Sequence, residues 1–216
     1  MCTHGQRAVL RVTTWDLLIC SIEHRTASLT ALLEALAPQI IPGVGVRIFR
    51  DNLEHGWTAK CQALIESSRA DYVSYIDDDD LVAPDFVERI MFALEFRPDY
   101  VGFMVRYTED GVKQVPVLHG LQHDGWHNTP EALFRDITDK NPIRRELALL
   151  SLWEGGNGAD RVWADRLRAL GVVKQQVFIP AELYYYQHTT ADTFTAHREP
   201  LTEHPPRPEF SCATYL

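Results

Sequence analysis

The stretch YVSYIDDDDLVAPDFV, residues 72–87, places four consecutive aspartates directly after a short apolar run that is typical of a buried strand. Carboxylates about 6 Å apart in a medium with an effective dielectric constant of about 20 repel each other by ~2–3 kcal/mol. Between Asp71 and Glu88 the sequence holds seven acidic residues and no basic one. The aspartates therefore need either a bound cation or a solvated turn.

Strand-like and helix-like segments alternate around this stretch. Residues 16–22 form a short apolar run, and residues 29–36 place leucines at helical spacing. The order recurs in residues 44–48, where Val and Ile alternate, and in residues 57–65, where the spacing is again helical. Pro84 suits the first turn of a third helix. The βαβαβα order predicts an α/β fold with a mixed, mainly parallel central sheet flanked by helices.

The second half of the chain has a less regular pattern. The predicted elements are strands at 100–107 and 112–118, a long loop at 119–141, a helix after the glycine turn at 155–158, a final strand pair at 175–188 and an extended tail at 199–216. The helix is expected to pack through Trp163, Leu167 and Leu170, which share one face. The long loop is rich in His, Gly, Asp and Trp, which is typical of an ordered functional loop.

Composition limits the class of protein. The 216 residues are 45% hydrophobic and 24% charged, which suits one globular domain. The net charge of −9 disfavours electrostatic binding to nucleic acid. The four cysteines have no C-x-x-C spacing, so neither a zinc site nor a disulfide framework is expected. Because no apolar run reaches 18 residues, and Arg11 and Asp16 interrupt the N-terminal one, we expect a cytoplasmic protein without a membrane span.

The aspartates follow the third predicted strand, at the edge where an open parallel sheet binds its ligands. Polar groups also follow the first strand (SIEHR) and the second (RDN). Mg²⁺ and Mn²⁺ prefer carboxylate oxygens and commonly share the phosphates of a substrate. The sequence therefore predicts a hard divalent cation, Mn²⁺ or Mg²⁺, held together with a phosphate-bearing ligand.

Two other structures could account for the four aspartates. A calcium loop beginning at Asp77 has Leu81 at its fifth position and Val82 where the loop requires glycine, and a strand rather than a helix precedes it. The other alternative is a solvated acidic turn in which Asp80 caps the following helix.

Six segments follow one another in a characteristic order: LLICSIEHR, VRIFRDN, TAKCQALIESSRADYVSYIDDDDLVAPDFV, NPIRRELAL, GGNGADRVWADRL and LYYYQH. In these segments and their order, the chain resembles the GT-A glycosyltransferases, in particular the family 2-like enzymes of the compact bacterial and phage type. The resemblance implies a single Rossmann-like GT-A domain. Its nucleotide-sugar half is expected at about 14–110, its acceptor and catalytic half at about 111–198, and the extended tail beyond that.

The resemblance also implies the residues that bind the donor. In such enzymes the loop after the first strand and the aspartate after the second hold the nucleobase, which here implies Ile22, Glu23, Arg25 and Asp51. An aspartate at that position is compatible with a uracil edge, so UDP-sugars are favoured. Lys60 matches a basic position that contacts the nucleotide or the donor sugar.

The acidic turn and the end of the last strand complete the implied donor site. Asp77 is expected to face the ribose or the sugar, with Asp78 beside it. Asp79 is expected to ligate the metal that bridges the diphosphate, and His188 is a candidate second ligand; the alternative for His188 is a surface or packed histidine.

Asp160 is the candidate catalytic base, because the family places its carboxylate at the start of this helix and the glycine turn allows close approach of a substrate. The family usually has Glu-Asp here, whereas this chain has Ala159 before Asp160, so a neighbouring acid is missing. A helix N-cap is the alternative role for Asp160. We expect inversion of configuration at the anomeric carbon, and this expectation rests on Asp160 alone.

Several other residues have two open interpretations. Arg144 and Arg145 could clamp a phosphate or face solvent on a helix. The tyrosines at 184–186 suit strand packing better than a sugar-stacking platform. By family analogy the loop residues that face the acceptor are His123, Asp124, Trp126 and His127.

The sequence thus predicts a metal-dependent glycosyltransferase that moves a sugar from a nucleoside diphosphate sugar to a glycan, a protein or a modified DNA base. One alternative is a nucleotidyltransferase of the same fold, which usually has a glycine-rich phosphate loop that SIEHRTAS lacks. The other is a nucleotide-sugar-binding protein without catalysis, which Ala159 favours.

Overall fold

The structure is a computed structural model that describes residues 12–189 of the chain. The predicted tail at 199–216 lies outside these residues. No helix of the described part is long and apolar enough to cross a lipid bilayer.

The secondary structure follows the predicted alternation in the first half. The strands are β1 Trp15–Ile22, β2 Val44–Asp51, β3 Tyr72–Tyr75, β4 Leu81–Val82, β5 Tyr100–Glu109, β6 Val112–Lys113, β7 Val117–His119, β8 His127–Asn128, β9 Leu133–Arg135, β10 Ile143–Arg144 and β11 Gln176–His188. The α-helices are α1 Thr26–Leu36, α2 Trp57–Ser67, α3 Phe86–Leu94, α4 Arg145–Ala148 and α5 Ala159–Leu170. Short 3₁₀ turns occupy Glu23–Arg25 and Ala37–Gln39.

The strands form one mixed sheet in the order β2-β1-β3-β10-β5-β7-β9-β8. The longest pairings, β1 with β2 and β5 with β11, are parallel, whereas the two-residue β10 joins β3 to β5 in antiparallel fashion. The short strands β4 and β6 pair antiparallel with β11 and β5. The sheet and its helices confirm the predicted mixed α/β fold.

Burial explains the regular first half. Strand β1 is buried along nearly its whole length, as expected for a parallel strand covered by helices on both faces. Helix α1 buries Leu29, Leu32 and Leu36, which lie on one face because helical side chains recur every three to four residues. Helices α1 and α3 pack on one core cluster, and helices α2 and α5 belong to the other.

Four expectations about the second half were wrong. The predicted loop at 119–141 contains two short strands, β8 and β9. Residues 112–118 contain two short strands, β6 and β7, instead of one. The final strand pair is a single strand, β11, whose pairing with β5 shifts register between Ile179 and Tyr184. In α5, Trp163 and Leu167 are buried but Leu170 is exposed, because it is the last helical residue and points away from the core.

Candidate active site

A cleft of about 630 Å³ opens at the carboxyl ends of β1 and β3 and extends to the ends of β5 and β11. It is the place where an open α/β sheet binds ligands. The predicted site residues that line it are Ile22, Arg25, Lys60, Asp77, Asp78, Asp79, Asp160 and His188. Glu23 and Asp51 do not line it: Glu23 is exposed on the 3₁₀ turn, and Asp51 lies behind Lys60.

Arg25 neutralises two of the aspartates. Its Nη1 atom lies 2.9 Å from Asp78 Oδ1 and 2.9 Å from Asp79 Oδ2. Asp78 is buried and also accepts a hydrogen bond of 2.7 Å from the hydroxyl of Ser21, at the end of β1. The loop after the first strand therefore fixes the acidic turn, and Asp78 has a structural role.

Lys140 neutralises Asp77 from a distant part of the chain. Its Nζ atom donates to Asp77 Oδ1 at 2.8 Å and to Asp139 Oδ2 at 3.0 Å. Burial alone would lower the pKa of Lys140, but Asp139 and Asp77 raise it well above its usual value. The four aspartates have no basic residue near them in sequence, but the loop before β10 brings Lys140 next to Asp77 in the fold.

Asp80 is buried beneath the turn and does not cap α3. Its Oδ2 atom accepts a hydrogen bond of 2.7 Å from the hydroxyl of Tyr184, and its Oδ1 atom accepts one of 2.8 Å from the backbone N–H of Gln187. The N-cap of α3 is Asp85, without a side-chain cap bond. The capping alternative is wrong because β11 takes both oxygens of Asp80.

Asp79 is the most exposed of the carboxylates, with 38% of its side chain in solvent. Burial of the rest and the charge of Asp77 raise its pKa to about 6, although Arg25 opposes the shift. A carboxylate whose ionised form is disfavoured in this way gains from any further cation. Asp79 is accordingly the turn's best-placed ligand for one.

Lys60 is a buried ion-pair partner. Its Nζ atom donates to Asp51 Oδ1 at 2.7 Å and to the carbonyl of Ser21 at 2.9 Å. Asp51 Oδ2 accepts hydrogen bonds from the backbone and side chain of His55. Burial alone would raise the pKa of Asp51, but Lys60 and His55 lower it. The pair connects β2 and α2 to the end of β1 and so shapes the cleft wall.

Asp160 lies in the first turn of α5 and faces the cleft. The preceding turn needs glycine, because Gly155 and Gly158 have φ angles of 93° and 77°. Gly158 is the N-cap residue, so the capping alternative for Asp160 is wrong. Asp160 interacts electrostatically with the buried Asp139, whose pKa is raised to about 6 mainly by burial. Asp139, from the loop before β10, is thus a second acid that lines the cleft with Asp160.

The described residues offer part of a metal site. Asp79 and His188 line the same cleft, and His188 Nδ1 is buried without a hydrogen-bond partner in residues 12–189, at 3.7 Å from Glu109 Oε1. Within these residues no three His, Cys, Asp or Glu side chains converge on one ion position. Such a donor set fits Mg²⁺ or Mn²⁺ only if phosphate oxygens supply the remaining ligands, as they commonly do.

Of the residues with two open interpretations, some pack against other parts of the fold and one lines the cleft. Arg144 binds Asp99, and Arg145 donates to the carbonyl of Ile65, so neither reaches the cleft. Trp126 lines the cleft and donates from Nε1 to the carbonyl of Ile137. In contrast, His123, Asp124 and His127 do not line it, and the two histidine rings pack on Phe134.

The sequence profile of glycosyl transferase family 2 matches residues 24–149, more than half of the chain. This chain belongs to glycosyl transferase family 2. The match includes α2 and the acidic turn, whereas Asp160 and β11 lie beyond it. No curated protein matches the sequence.

Solved structures similar to this family 2 protein include TarS of S. aureus. Residues 1–349 of TarS in complex with UDP-GlcNAc give a TM-score of 0.66 at 11% identity, over 87% of this chain and 62% of that one. TarS 1–349 without that ligand gives a TM-score of 0.62 at 12% identity, over 81% of this chain and 60% of that one. The likeness shows the GT-A fold, and this chain spans about three-fifths of the TarS 1–349 chain.

Sequence reasoning missed several cleft residues of this family 2 protein. Lys140 and Asp139 lie in the long loop, where periodicity carries no information about side-chain direction. Tyr107 was missed altogether, and for Tyr186 strand packing was preferred to sugar stacking; both face the cleft, and only the pairing of β5 with β11 brings them together. The alternation of Tyr184 to Tyr186 along a strand was the one available signal.

Proposed function

We propose that this protein is a glycosyltransferase that uses a nucleoside diphosphate sugar, with UDP-sugars favoured, and transfers the sugar to an acceptor hydroxyl with inversion, in the presence of Mn²⁺ or Mg²⁺. The observation that carries the proposal is the cleft itself. In a family 2 chain, it presents Asp79 and Asp160 to the same space at the carboxyl ends of the strands.

The nucleotide is assigned to the side of the cleft formed by β1 and β2. Ile22 and Arg25 follow β1 there, and Lys60 with Asp51 supports the end of that strand. The choice of a uridine nucleotide is supported by the fold likeness to TarS, which was solved with UDP-GlcNAc.

Asp79 and His188 would hold the divalent cation. When bound, the cation would supply the charge that stabilises the departing diphosphate. Arg25 keeps Asp79 in place, and the charge of Lys140 limits the repulsion that Asp77 adds to the turn.

Asp160 is assigned the role of general base. The acceptor oxygen would form a bond to the anomeric carbon while the bond from that carbon to the diphosphate oxygen breaks, and the proton of the acceptor hydroxyl would pass to the Asp160 carboxylate. Attack from the face opposite the leaving group inverts the configuration. Asp139 lies buried in the same cleft, interacts electrostatically with Asp160 and is paired with Lys140.

The test combines binding with turnover. We expect a thermal-shift panel of nucleoside diphosphate sugars with Mn²⁺ to identify a donor, because a ligand at 100 times its Kd adds about 2.7 kcal/mol of stability. That donor should then release its nucleoside diphosphate in the presence of Mn²⁺ and not in its absence. A protein that binds no nucleotide sugar would contradict the proposal.

Ala159 favours a second candidate, a nucleotide-sugar-binding protein without catalysis, because the acid usual at this position is missing. This candidate predicts donor binding without release of the nucleoside diphosphate, whichever acceptor is supplied. The turnover assay therefore separates the two.

A further inference from the structure

Two tyrosines form an exposed aromatic surface inside the cleft. Tyr107 and Tyr186 are register partners on the parallel strands β5 and β11. Their rings stack with centroids 5.3 Å apart and planes at 25°. Both line the cleft, and Tyr186 is 40% exposed. We call this pair the tyrosine platform.

The platform is distinct from the tyrosines that pack the strand. Tyr184 is buried and donates its hydroxyl to Asp80, and Tyr185 points to the other face, beneath the guanidinium of Arg106. Tyr186 returns to the cleft face because side chains alternate along a strand. A large ring left in solvent there exposes apolar surface that a ligand would cover.

Sheet order separates the platform from the nucleotide side. Strands β2 and β1 lie on one side of β3, which leads into the acidic turn, and β10, β5 and β11 follow on the other. The residues assigned to the nucleotide follow β1 and β2. The platform therefore lies across the acidic turn from them, where the second substrate must approach.

We propose that the tyrosine platform binds a pyranose ring of a neutral glycan acceptor. This inference rests on the proposed glycosyltransferase function and names its acceptor class. The apolar face of a sugar ring suits stacking on an aromatic ring, and the sugar hydroxyls stay free for water and for the base.

Charge favours a neutral acceptor over a polyanion. Five aspartates and four basic side chains line the cleft, and the whole chain has a net charge of −9. Tyrosine side chains are uncharged near neutral pH, so the platform adds no charge of its own. Arg25, Lys60 and Lys140 are already paired with aspartates, so a strand of modified DNA would find few basic groups here for its phosphates.

The experiment measures binding of three probes to the UDP- and Mn²⁺-loaded protein and to the nucleotide-free protein. The probes are neutral trisaccharides (maltotriose and chitotriose), a serine- and threonine-rich peptide, and an oligonucleotide containing 5-hydroxymethylcytosine. We expect a trisaccharide to bind, and Tyr186→Ala to weaken its binding about three- to tenfold, the range of a lost ring contact. Tyr186→Phe keeps the ring and should bind like the parent, and UDP affinity should not change.

The matched control is a second exposed aromatic pair. Phe92 and Phe96 make an edge contact on and just after α3, outside the cleft, and are 63% and 66% exposed. Phe96→Ala should leave trisaccharide binding unchanged. The inference is overturned if neither form of the parent binds a trisaccharide, if only the peptide or the oligonucleotide binds, or if Tyr186→Ala weakens UDP instead. If the parent fails to bind UDP, that result counts against the proposed function and is distinguishable from failure of the tyrosine platform to bind a trisaccharide.

Discussion

Four identical side chains at positions 77–80 have four different environments. Asp77 faces Lys140, Asp78 is buried against Ser21 and Arg25, Asp79 is part-exposed in the cleft, and Asp80 is held by β11. The repulsion between these neighbouring carboxylates is offset by partners from three separate segments: the loop after β1, the loop before β10, and β11. Asp79 combines a pKa raised to about 6 with access to solvent, which suits a metal ligand.

Asp79→Asn is expected to remove the dependence of UDP affinity on Mn²⁺, because a neutral amide is a poor ligand for a hard cation. The free energy of unfolding should stay near the parent value, since the substitution also removes a like-charge neighbour of Asp77. Isothermal titration of UDP with and without Mn²⁺ measures the effect. Asp85→Asn, on an exposed aspartate paired with Arg89, is the control. An unchanged Mn²⁺ dependence in Asp79→Asn would exclude this residue as a ligand.

Asp160→Asn tests the base. Loss of a general base lowers kcat by about 10²- to 10⁴-fold and leaves donor affinity near the parent value, because the carboxylate acts in the transition state. Release of nucleoside diphosphate in the presence of acceptor measures kcat. Asp165→Asn is the control on the same helix, where Asp165 pairs with Arg161 and Arg168. Full turnover by Asp160→Asn would show that another group accepts the proton of the acceptor hydroxyl, and it would remove the argument for inversion.

At the scale of elements, the Asp51–Lys60 pair joins β2 to α2. The side chains are only 9% and 4% exposed, so removal of one partner leaves a buried charge. We expect Asp51→Ala to lower the free energy of unfolding by about 3–5 kcal/mol, and Asp51→Ala/Lys60→Met to recover most of the loss because no charge remains unpaired.

Urea unfolding monitored by circular dichroism measures both variants of this pair. Removal of the exposed Asp85–Arg89 pair by Arg89→Met, with about half of each side chain in solvent, should change stability by less than about 1 kcal/mol. If the double variant is as unstable as Asp51→Ala, the loss comes from packing and not from the uncompensated lysine.

The sequence was most informative where an element is long and buried on a constant face. Strands β1 and β2 and helices α1 and α2 follow from periodicity, because burial selects apolar side chains at every turn of the pattern. The two-residue strands β8 and β10 carry too few side chains for a period. The predicted strand pair at 175–188 is the single strand β11, in which Pro180 lies at a register shift beside β5.

For the whole molecule, the buried His119 makes stability depend on pH. Burial lowers its pKa to about 3, although a hydrogen bond of 2.6 Å between its Nδ1 and Asn141 Oδ1 opposes the shift. In the unfolded chain a histidine takes up its proton near pH 6.5. Below that pH the unfolded state binds one proton more, so stability falls by about 1.4 kcal/mol per pH unit until pH approaches 3.

His119→Gln should remove this dependence, because glutamine keeps a hydrogen-bond donor but does not titrate. The free energy of unfolding, measured in urea from pH 6.5 to pH 4.5, should fall less steeply in the variant by about 1.4 kcal/mol per pH unit. Equal slopes for parent and variant would show that His119 is protonated in the folded state as readily as in the unfolded one.

The candidate site was predictable as far as it follows strand ends. Asp79 and Asp160 come directly before or after regular elements, so their position at the carboxyl edge follows from topology. Lys140, Asp139 and the tyrosine platform depend on pairings between segments far apart in the chain. Tyr107 and Tyr186 become neighbours only through the register of β5 with β11, which local sequence does not encode.

The bond from Gln187 to Asp80 sets an order of assembly during synthesis. The two residues are 107 positions apart, and Tyr184, the other partner of Asp80, comes from the same late strand. At a translation rate of about 5–20 residues per second, β11 is synthesised roughly 5–20 s after the four aspartates. During that interval a nascent chain can hold β1, β2 and β3 together, but Asp77 and Asp80 lack the partners that come later in the chain. A free divalent cation, or a chaperone that shields this edge, would act first on that unfinished intermediate and only later on the finished fold.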